Sequence, residues 1–276
     1  MSPHPSHSTH NPTPHPEVNA ILGELLAGAR AILGRSFVGM YLNGSLAVGD
    51  FDEHSDIDFI IVTDDVLPDE AWPALQELHA RLHAGDSHWA THLEGSYYSR
   101  HALRKYDPAH ARHPWLEHGQ GRLELMDHDI CRGVVQRWIT RECGLVLAGP
   151  APDTLIDPVS ADDLQKGIVS MSRDWLPPLL DEPARINNRW YQAYIVLSLC
   201  RILYTLHHGT IVSKLKAARW AEETLDRRWA GLIERARLDR FDPAVRVRQP
   251  AVPEEVNLTI GFIRHVLAFD PVQTDL

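Results

Sequence analysis

Two aspartates, Asp56 and Asp58, stand two positions apart at the start of an apolar run at residues 59–62. Side chains with this spacing in a strand point to the same face of a sheet, so the two carboxylates are expected to project together. Mg²⁺ prefers one or two protein carboxylates and takes its other ligands from water and phosphate oxygens. Gly44 and Ser45, shortly before the pair, suit a turn that contacts phosphate. The combination indicates nucleotide phosphoryl or nucleotidyl transfer.

A third acid, Glu94, lies within residues 89–99, a predicted strand with no other acidic or basic residue except a histidine. Like charge raises the pKa of a carboxylate beside two others, whereas bound Mg²⁺ lowers it again, which leaves an ionised base near the metal. A glutamate on an edge strand facing water is the simpler alternative. For the aspartate pair the alternative is a solvated hairpin turn, which leaves the following apolar run unexplained.

Apolar spacing predicts the elements that position these acids. In the first half, helices are predicted over 18–33 and 68–85, and strands over 38–42, 59–62, 89–99 and 145–148. Residues 100–120 show no steady period and are interpreted as a long loop over the surface or the site. A helix is predicted from residue 125. His128, between Asp127 and Asp129, is either catalytic or part of an acidic helix cap.

The second half of the chain is predicted to be helical. Residues 160–240 show helical spacing, and 191–206 form a nearly all-round apolar helix, as at the centre of a bundle. A final helix is predicted over 254–269. Arg201 on the central helix is costly to bury unless it meets a carboxylate or a phosphate, and Lys214 follows the same helix. An internal salt bridge is the alternative for Arg201.

Composition restricts the classes of partner. The 276 residues carry a formal charge of −10, which argues against a nucleic-acid partner and suits a small cationic one, although it also simply favours solubility. No apolar run reaches membrane-spanning length and the first residues lack signal-peptide features, so we expect a cytoplasmic protein without a membrane partner. The three cysteines, Cys131, Cys143 and Cys200, are expected to be reduced core thiols.

Domain boundaries follow from these patterns. Residues 1–17 are rich in Pro, Ser, Thr and His and are predicted to be a disordered tail, whose histidines bind metal adventitiously at most. A first domain is expected over 18–157 and a second over 158–276.

Two stretches carry a family resemblance. Gly44-Ser45 and Ser55-Asp56-Ile57-Asp58 resemble the GS and DxD signature of the nucleotidyltransferase superfamily, to which DNA polymerase β belongs. Residues 146–237, with the run YIVLSLCRILYTLHHGTIVSK, resemble the C-terminal domain of the aminoglycoside (3'')(9) adenylyltransferases, the streptomycin and spectinomycin resistance enzymes. The resemblance covers most of residues 20–240. It implies an α+β fold, with a polymerase β-like mixed-sheet nucleotidyltransferase domain followed by a C-terminal α-helical bundle.

The resemblance also implies an activity and a set of site residues. It implies that AMP is transferred from ATP, with Mg²⁺, to a hydroxyl of streptomycin, spectinomycin or a similar aminoglycoside or aminocyclitol, releasing pyrophosphate. Asp56 and Asp58 are the implied Mg²⁺ ligands and Glu94 the implied catalytic base. The residues implied to bind ATP are Gly44, Ser45, Ser55, Arg201 and Lys214.

One stretch departs from the family pattern. The drug enzymes hold the cationic drug with a tryptophan and aspartates, whereas residues 179–194 read LLDEPARINNRWYQAY, with Asn187 and Tyr191 where acids are expected. By composition, the candidate substrate-binding residues are Asp181, Glu182 and Trp190. The alternatives are adenylylation of another small metabolite or of a protein hydroxyl, or a non-catalytic ATP-sensing module. A monomer is expected.

Overall fold

The computed structural model describes residues 12–127, 130–242 and 249–269. The chain divides into two compact units, one comprising Met1–Asp129 with Ile139–Pro158 and the other Ile130–Trp138 with Val159–Leu276. The expected boundary at 157/158 differs from this division mainly at residues 130–138. They belong to the second unit because Val135 packs against the core of that unit.

The first unit is built on a mixed sheet. Its strands are β1 (Phe37–Leu42), β2 (Ile57–Thr63), β3 (Leu93–Ser99), β4 (Arg112–Leu116), β5 (Leu123–Asp127) and β6 (Leu145–Ala148). The sheet order is β5-β4-β3-β2-β1-β6, with β2 and β3 parallel and all other neighbours antiparallel. The helices are α1 (Pro16–Leu33), α2 (Gly44–Val48), α3 (Ala71–His83), α4 (Arg100–Arg104) and α5 (Ile130–Cys143), which continues into this unit from the other.

Apolar side chains cover both faces of the sheet, and this fixes the orientation of β2 about its own axis. Ile57 and Ile61 belong to a core cluster that they share with residues of α1 and α3. Ile60 and Val62 point the other way, into a smaller cluster with residues of α4. All four are fully buried, and each such side chain contributes roughly 1.5–3 kcal/mol to folding. Rotation of this strand about its axis would therefore expose two buried rows at once.

The expectation of a long loop over residues 100–120 is wrong. α4 and β4 occupy much of this segment, and β4 pairs with β3 through Gly95 and Leu116. Pro114 makes this strand hard to predict from sequence, because proline is disfavoured inside sheets. His113 has the same effect, since it is 3% exposed at a position where an apolar residue would be usual. Its Nε2 lies 3.3 Å from the hydroxyl of Ser96, which satisfies the buried ring.

The helix expected from residue 125 begins later. Leu125 and Met126 belong to β5, which pairs with β4 as a hairpin, and α5 begins at Ile130. β5 is the edge strand of the sheet and Leu125 is 51% exposed, so its apolar residues do not show the alternation of a half-buried strand. His128 and Asp129 lie outside the described residues.

The second unit is helical throughout its described residues, as predicted. Besides the start of α5 it contains α6 (Ala161–Trp175), α7 (Pro177–Asp181), α8 (Arg189–His208), α9 (Lys214–Thr224), α10 (Ala230–Phe241) and α11 (Pro253–Leu267). The long helix α8 is the centre and packs against α6, α9, α10 and α11. Ser160 caps α6 by accepting a 3.0 Å hydrogen bond from the backbone of Asp163. Gly209 ends α8 in the left-handed conformation.

The predicted tail extends too far into the chain. α1 begins at Pro16, and the buried Thr13 donates hydrogen bonds from its backbone N–H and its hydroxyl to the side-chain oxygen of Asn19. His15 packs against Phe51 at a ring-centroid distance of 5.1 Å. The first eleven residues, with His4, His7 and His10, lie outside the described ranges.

The remaining expectations concern cysteines and membranes. Cys200 is buried and Cys143 half-buried, and both are free thiols, whereas the side chain of Cys131 is not described. Among the described residues, no helix combines the length and apolar character that crossing a bilayer requires.

Candidate active site

Three acidic side chains stand at one end of the parallel strands β2 and β3. Asp56 directly precedes β2, and Asp58 and Glu94 are the second residues of their strands. Asp58 and Glu94 are partners in the strand register, and residues in this relation share a face of the sheet. Adjacent strands lie about 4.8 Å apart, which brings two such carboxylates within reach of one ion. All three acids are half-buried and so accessible to a ligand.

Gly44 makes a close approach to this acidic end. Its φ angle is +54°, which favours glycine, and a Cβ atom there would collide with the carboxylate of Asp58. The backbone N–H of Asn43 donates to the carbonyl oxygen of Asp58 at 3.0 Å. The side-chain oxygen of Asn43 accepts a 2.8 Å hydrogen bond from the N–H of Gly44. Gly44, at the start of α2, is therefore tied to Asp58, one of the metal ligands that the family resemblance implies.

The two serines of the sequence motifs have different surroundings. The Ser45 hydroxyl oxygen is buried and has no hydrogen-bond partner among the described residues. A buried hydroxyl without a partner is uncommon, because its desolvation is not offset. The Ser55 hydroxyl instead holds the turn before β2, lying 3.2 Å from a carboxylate oxygen of Asp52. Ser45 is thus the better placed of the two to receive a ligand oxygen, and a phosphate contact by Ser55 stays a prediction.

His118 is a neighbour of the acids that the sequence did not reveal. Its Nδ1 lies 2.5 Å from Oδ1 of Asp56. This hydrogen bond raises the pKa of His118, and the charges of Asp56 and Glu94 act in the same direction. The residue lies in the turn between β4 and β5. Because β4 was not predicted, nothing in the sequence placed this turn beside β3.

A second histidine extends the polar side of the site. The rings of His92 and His118 meet edge to face, with centroids 5.0 Å apart. Partial burial lowers the pKa of His92, and the neighbouring His118 and His88 lower it further. The two imidazoles therefore differ in electrostatic character, because only His118 contacts a carboxylate directly. His92 directly precedes β3, two residues before Glu94.

In the second unit, the residues implied to bind ATP are partly brought together. Lys214, the first residue of α9, places its ammonium 4.0 Å from the ring centroid of Tyr194. Arg201 lies seven residues after Tyr194 on α8, and residues with this spacing share a helix face. Both cations are half-buried. The structure therefore places a basic and aromatic surface along one side of α8.

The candidate substrate residues of this unit are less closely associated. Trp190 is 53% exposed and its ring stacks with that of Tyr194 at a centroid distance of 6.3 Å. Asp181 ends α7 and is exposed. Glu182 is paired with Arg185 at 2.7 Å, which offsets part of its charge. Trp190 thus joins the α8 surface, whereas Glu182 is a weaker cation-binding candidate than its residue type suggests.

Two family models match the chain. A nucleotidyltransferase domain model matches residues 29–97, which contain Gly44, Ser45 and all three acids. A second model, described as the C-terminal domain of aminoglycoside adenylyltransferase, matches residues 154–257. The two matched ranges follow one another without overlap, in the order that the sequence predicted.

Several known proteins are similar to this chain. The chain is 26% identical over 216 residues to a spectinomycin 9-adenylyltransferase of Staphylococcus aureus, covering 75% of this chain and 78% of the relative. It is 26% identical over 274 residues to an aminoglycoside (3'') (9) adenylyltransferase of Escherichia coli, covering 91% and 97%. A crystal structure of spectinomycin adenyltransferase AAD(9) from Enterococcus faecialis with ATP and spectinomycin has a TM-score of 0.65 and 19% identity, covering 91% of this chain and 99% of that one. These matches confirm the predicted fold class.

Proposed function

We propose that this chain, which belongs to the aminoglycoside adenylyltransferase family of nucleotidyltransferases, transfers AMP from ATP to a hydroxyl of streptomycin, spectinomycin or a related cationic antibiotic. The observation that carries the proposal is the pairing of Asp58 with Glu94 on adjacent strands, with Asp56 beside them. Two acids can share a divalent cation while the third accepts a proton. This is the minimum that metal-assisted nucleotidyl transfer requires.

The donor set suits Mg²⁺. Asp56 and Asp58 offer hard oxygen ligands, and a Mg²⁺ ion held there would neutralise and orient the triphosphate of ATP. Gly44 brings its backbone against Asp58, and the hydroxyl of Ser45 has no protein partner among the described residues. Both features support a phosphate-binding role for the Gly-Ser turn.

Glu94 is the proposed general base. Its carboxylate takes the proton from the acceptor hydroxyl while the acceptor oxygen attacks the α-phosphorus of ATP. The bond from this phosphorus to the bridging oxygen breaks, pyrophosphate leaves, and AMP stays on the acceptor. A base in contact with the reacting hydroxyl contributes typically about 10²–10⁴-fold to the rate. Arg201 and Lys214 are proposed, on the family resemblance, to bind the triphosphate.

One observation favours a different acceptor. Asn187, just before α8, and Tyr191, in its first turn, stand where the family resemblance leads us to expect acids, and Glu182 is already paired with Arg185. A cationic drug therefore meets less uncompensated negative charge there than in the resistance enzymes. Another small metabolite with a free hydroxyl is the second candidate, with the same donor and the same chemistry.

An acceptor panel tests the proposal. The protein is incubated with α-labelled ATP, Mg²⁺ and, one at a time, streptomycin, spectinomycin, other aminoglycosides and neutral aminocyclitol analogues. We expect pyrophosphate release and a labelled product with at least one cationic acceptor, and neither with the Asp58→Asn variant. If only a neutral acceptor is turned over, the second candidate, a small metabolite, would replace the cationic drug as the proposed acceptor. ATP binding without product from any acceptor would favour an ATP-sensing module.

A further inference from the structure

A second group of metal-ligating side chains lies outside the acidic site. His101, Asp107 and His110 each offer one ligand atom, and these atoms all lie within 4.8 Å of one another. Both imidazoles are directed at the same carboxylate oxygen, Oδ2 of Asp107. The distance from it to Nε2 of His101 is 3.3 Å and to Nδ1 of His110 3.0 Å. The two rings meet with centroids 4.5 Å apart.

The backbone around this cluster is well supported. His101 lies on α4, whose Leu103 is 1% exposed in the apolar core. The carbonyl of Arg104 at the end of the helix accepts a 3.0 Å hydrogen bond from the backbone of Asp157, and their side chains form an ion pair. One ligand thus stands on a helix that is anchored from both sides.

The carboxylate is oriented independently of the histidines. Oδ1 of Asp107 accepts a 2.9 Å hydrogen bond from the backbone N–H of Ala109, which leaves Oδ2 for the imidazoles. An aspartate carboxylate is an anion throughout the pH range in which a histidine is neutral, as metal binding requires of both ligand types.

We propose that His101, Asp107 and His110 form a binding site for a divalent transition metal, with Zn²⁺ as the ion that fits best. Two imidazoles and one carboxylate are ligands that zinc accepts at about 2.0–2.2 Å, and in a tetrahedral site of that size neighbouring ligand atoms lie about 3.3 Å apart. The two nitrogen-to-oxygen distances, 3.3 and 3.0 Å, are close to this spacing, and all three ligand atoms lie within 4.8 Å of one another. Imidazole nitrogens disfavour Mg²⁺ and Ca²⁺ and suit zinc, cobalt, nickel and copper. Water would complete the coordination, because the cluster is at the surface.

The ion would act on the segment that joins β3 to β4. It would clip α4 to the turn at residues 107–110, directly before β4. β4 follows this segment and leads to the turn that carries His118. The proposed metal site does not depend on the acceptor or on the proposed reaction. Without metal, the same groups form an ordinary hydrogen-bonded cluster, and that is the alternative to be excluded.

Zinc titration of the full chain, purified without an affinity tag, tests the proposal. Because His4, His7 and His10 and the acids of the active site could also bind zinc, three variants are compared in a background in which these three histidines are alanine and Asp56 is asparagine. They are the background itself, His110→Ala, and His208→Ala, which removes an exposed histidine of the second unit. Isothermal calorimetry is expected to give one zinc per chain in the background and in His208→Ala.

His110→Ala is expected to weaken this binding by more than about 100-fold, since loss of a ligand exceeds the 10- to 100-fold effect of a supporting residue. Cobalt gives a second readout that does not depend on stability. The background protein should show the visible absorption of a four- or five-coordinate Co²⁺ ion, and the spectrum should be lost in His110→Ala and in Asp107→Asn. Equal zinc affinities of His110→Ala and His208→Ala, or a background protein that binds no zinc, would overturn the proposal.

Discussion

The acidic end of β2 and β3 and the aromatic face of α8 are built in opposite ways. Asp58 and Glu94 are placed by strand register, and the residues on either side of each are buried. Trp190, Tyr194 and Lys214 are placed by helix spacing and by contacts among partly exposed side chains. A side chain fixed by the backbone cannot move to accommodate a new partner, whereas an exposed stack can rearrange. Chemistry is thus expected of the first region and adaptable recognition of the second.

The sharpest test of this contrast is Glu94→Gln, which keeps the size and polarity of the side chain but removes the base. We expect kcat to fall by about 10²–10⁴-fold while ATP affinity is unchanged. Steady-state pyrophosphate release and calorimetric ATP binding measure the two quantities. Glu124→Gln, an exposed glutamate on the edge strand β5, is the matched control and should leave both unchanged. Full turnover in Glu94→Gln would remove Glu94 from the base role.

The stability of the first unit is expected to decrease at acidic pH. His79 of α3 is 1% exposed, its Nε2 lies 2.8 Å from the hydroxyl of Tyr97 on β3, and burial lowers its pKa to about 4. Between pH 6.5 and about 4 the unfolded chain binds a proton at this residue that the folded chain does not. The free energy of unfolding therefore decreases as pH falls through this window, by roughly 3 kcal/mol at its end.

Urea unfolding of wild type and His79→Gln at pH 7.5 and pH 5 measures this contribution. The loss of stability on acidification is expected to be smaller in His79→Gln than in wild type, even if the variant is less stable at both values. His208→Ala, which removes an exposed histidine of the second unit, should lose as much stability between pH 7.5 and pH 5 as wild type does. An identical pH response of His79→Gln and wild type would contradict the prediction.

Gly44→Ala tests how strictly the backbone sets the acidic site. Alanine at a φ of +54° is strained, and its methyl group collides with Asp58, so we expect a loss of roughly 1–3 kcal/mol in stability together with weaker ATP binding. Gly23→Ala in α1 is the matched control, because a Cβ there meets nothing within 4 Å. It should be neutral or stabilise by about 0.5–1 kcal/mol. Equal behaviour of the two variants would show that the turn is not constrained.

Trp190→Ala should give the smallest effect. Half of the side chain is already exposed, so stability is expected to change by less than about 0.5 kcal/mol. The KM for the acceptor is expected to rise roughly 5-fold with kcat unchanged, the pattern of lost uniform binding. Leu238→Ala, an exposed apolar residue of α10, is the control and should alter neither parameter. A fall in kcat would contradict the prediction, because it would show that Trp190 contributes to the chemical step and not only to acceptor binding.

Much of the first unit could be predicted, because its central strands are short apolar runs and its acids have an alternating spacing. Ile57 enters the core as the alternation requires. The β4–β5 hairpin could not be predicted from periodicity, since Pro114 and the buried His113 are unusual strand residues and only their tertiary partners explain them. The partnership of His118 with Asp56 was missed with the hairpin that creates it.

The surface of α8 shows a different limit. The sequence alone shows that Arg201 and Lys214 are charges on or beside an apolar helix. The position of Lys214 over the ring of Tyr194 depends on how α9 packs against α8. Spacing within one helix predicts a face, but it does not predict which side chain of another helix will cover it.

The register of β2 and β3 limits where homologous sequences can gain or lose residues. The connection between the two strands, which includes α3, is free to gain or lose residues, since its length does not determine which side chains meet. Deleting Leu93, the first residue of β3, would instead turn the Glu94 carboxylate toward the face covered by α3 and bring Gly95 to the side that Glu94 now occupies. Length variation among functional homologues should therefore collect in the connection and spare the first residues of the strand.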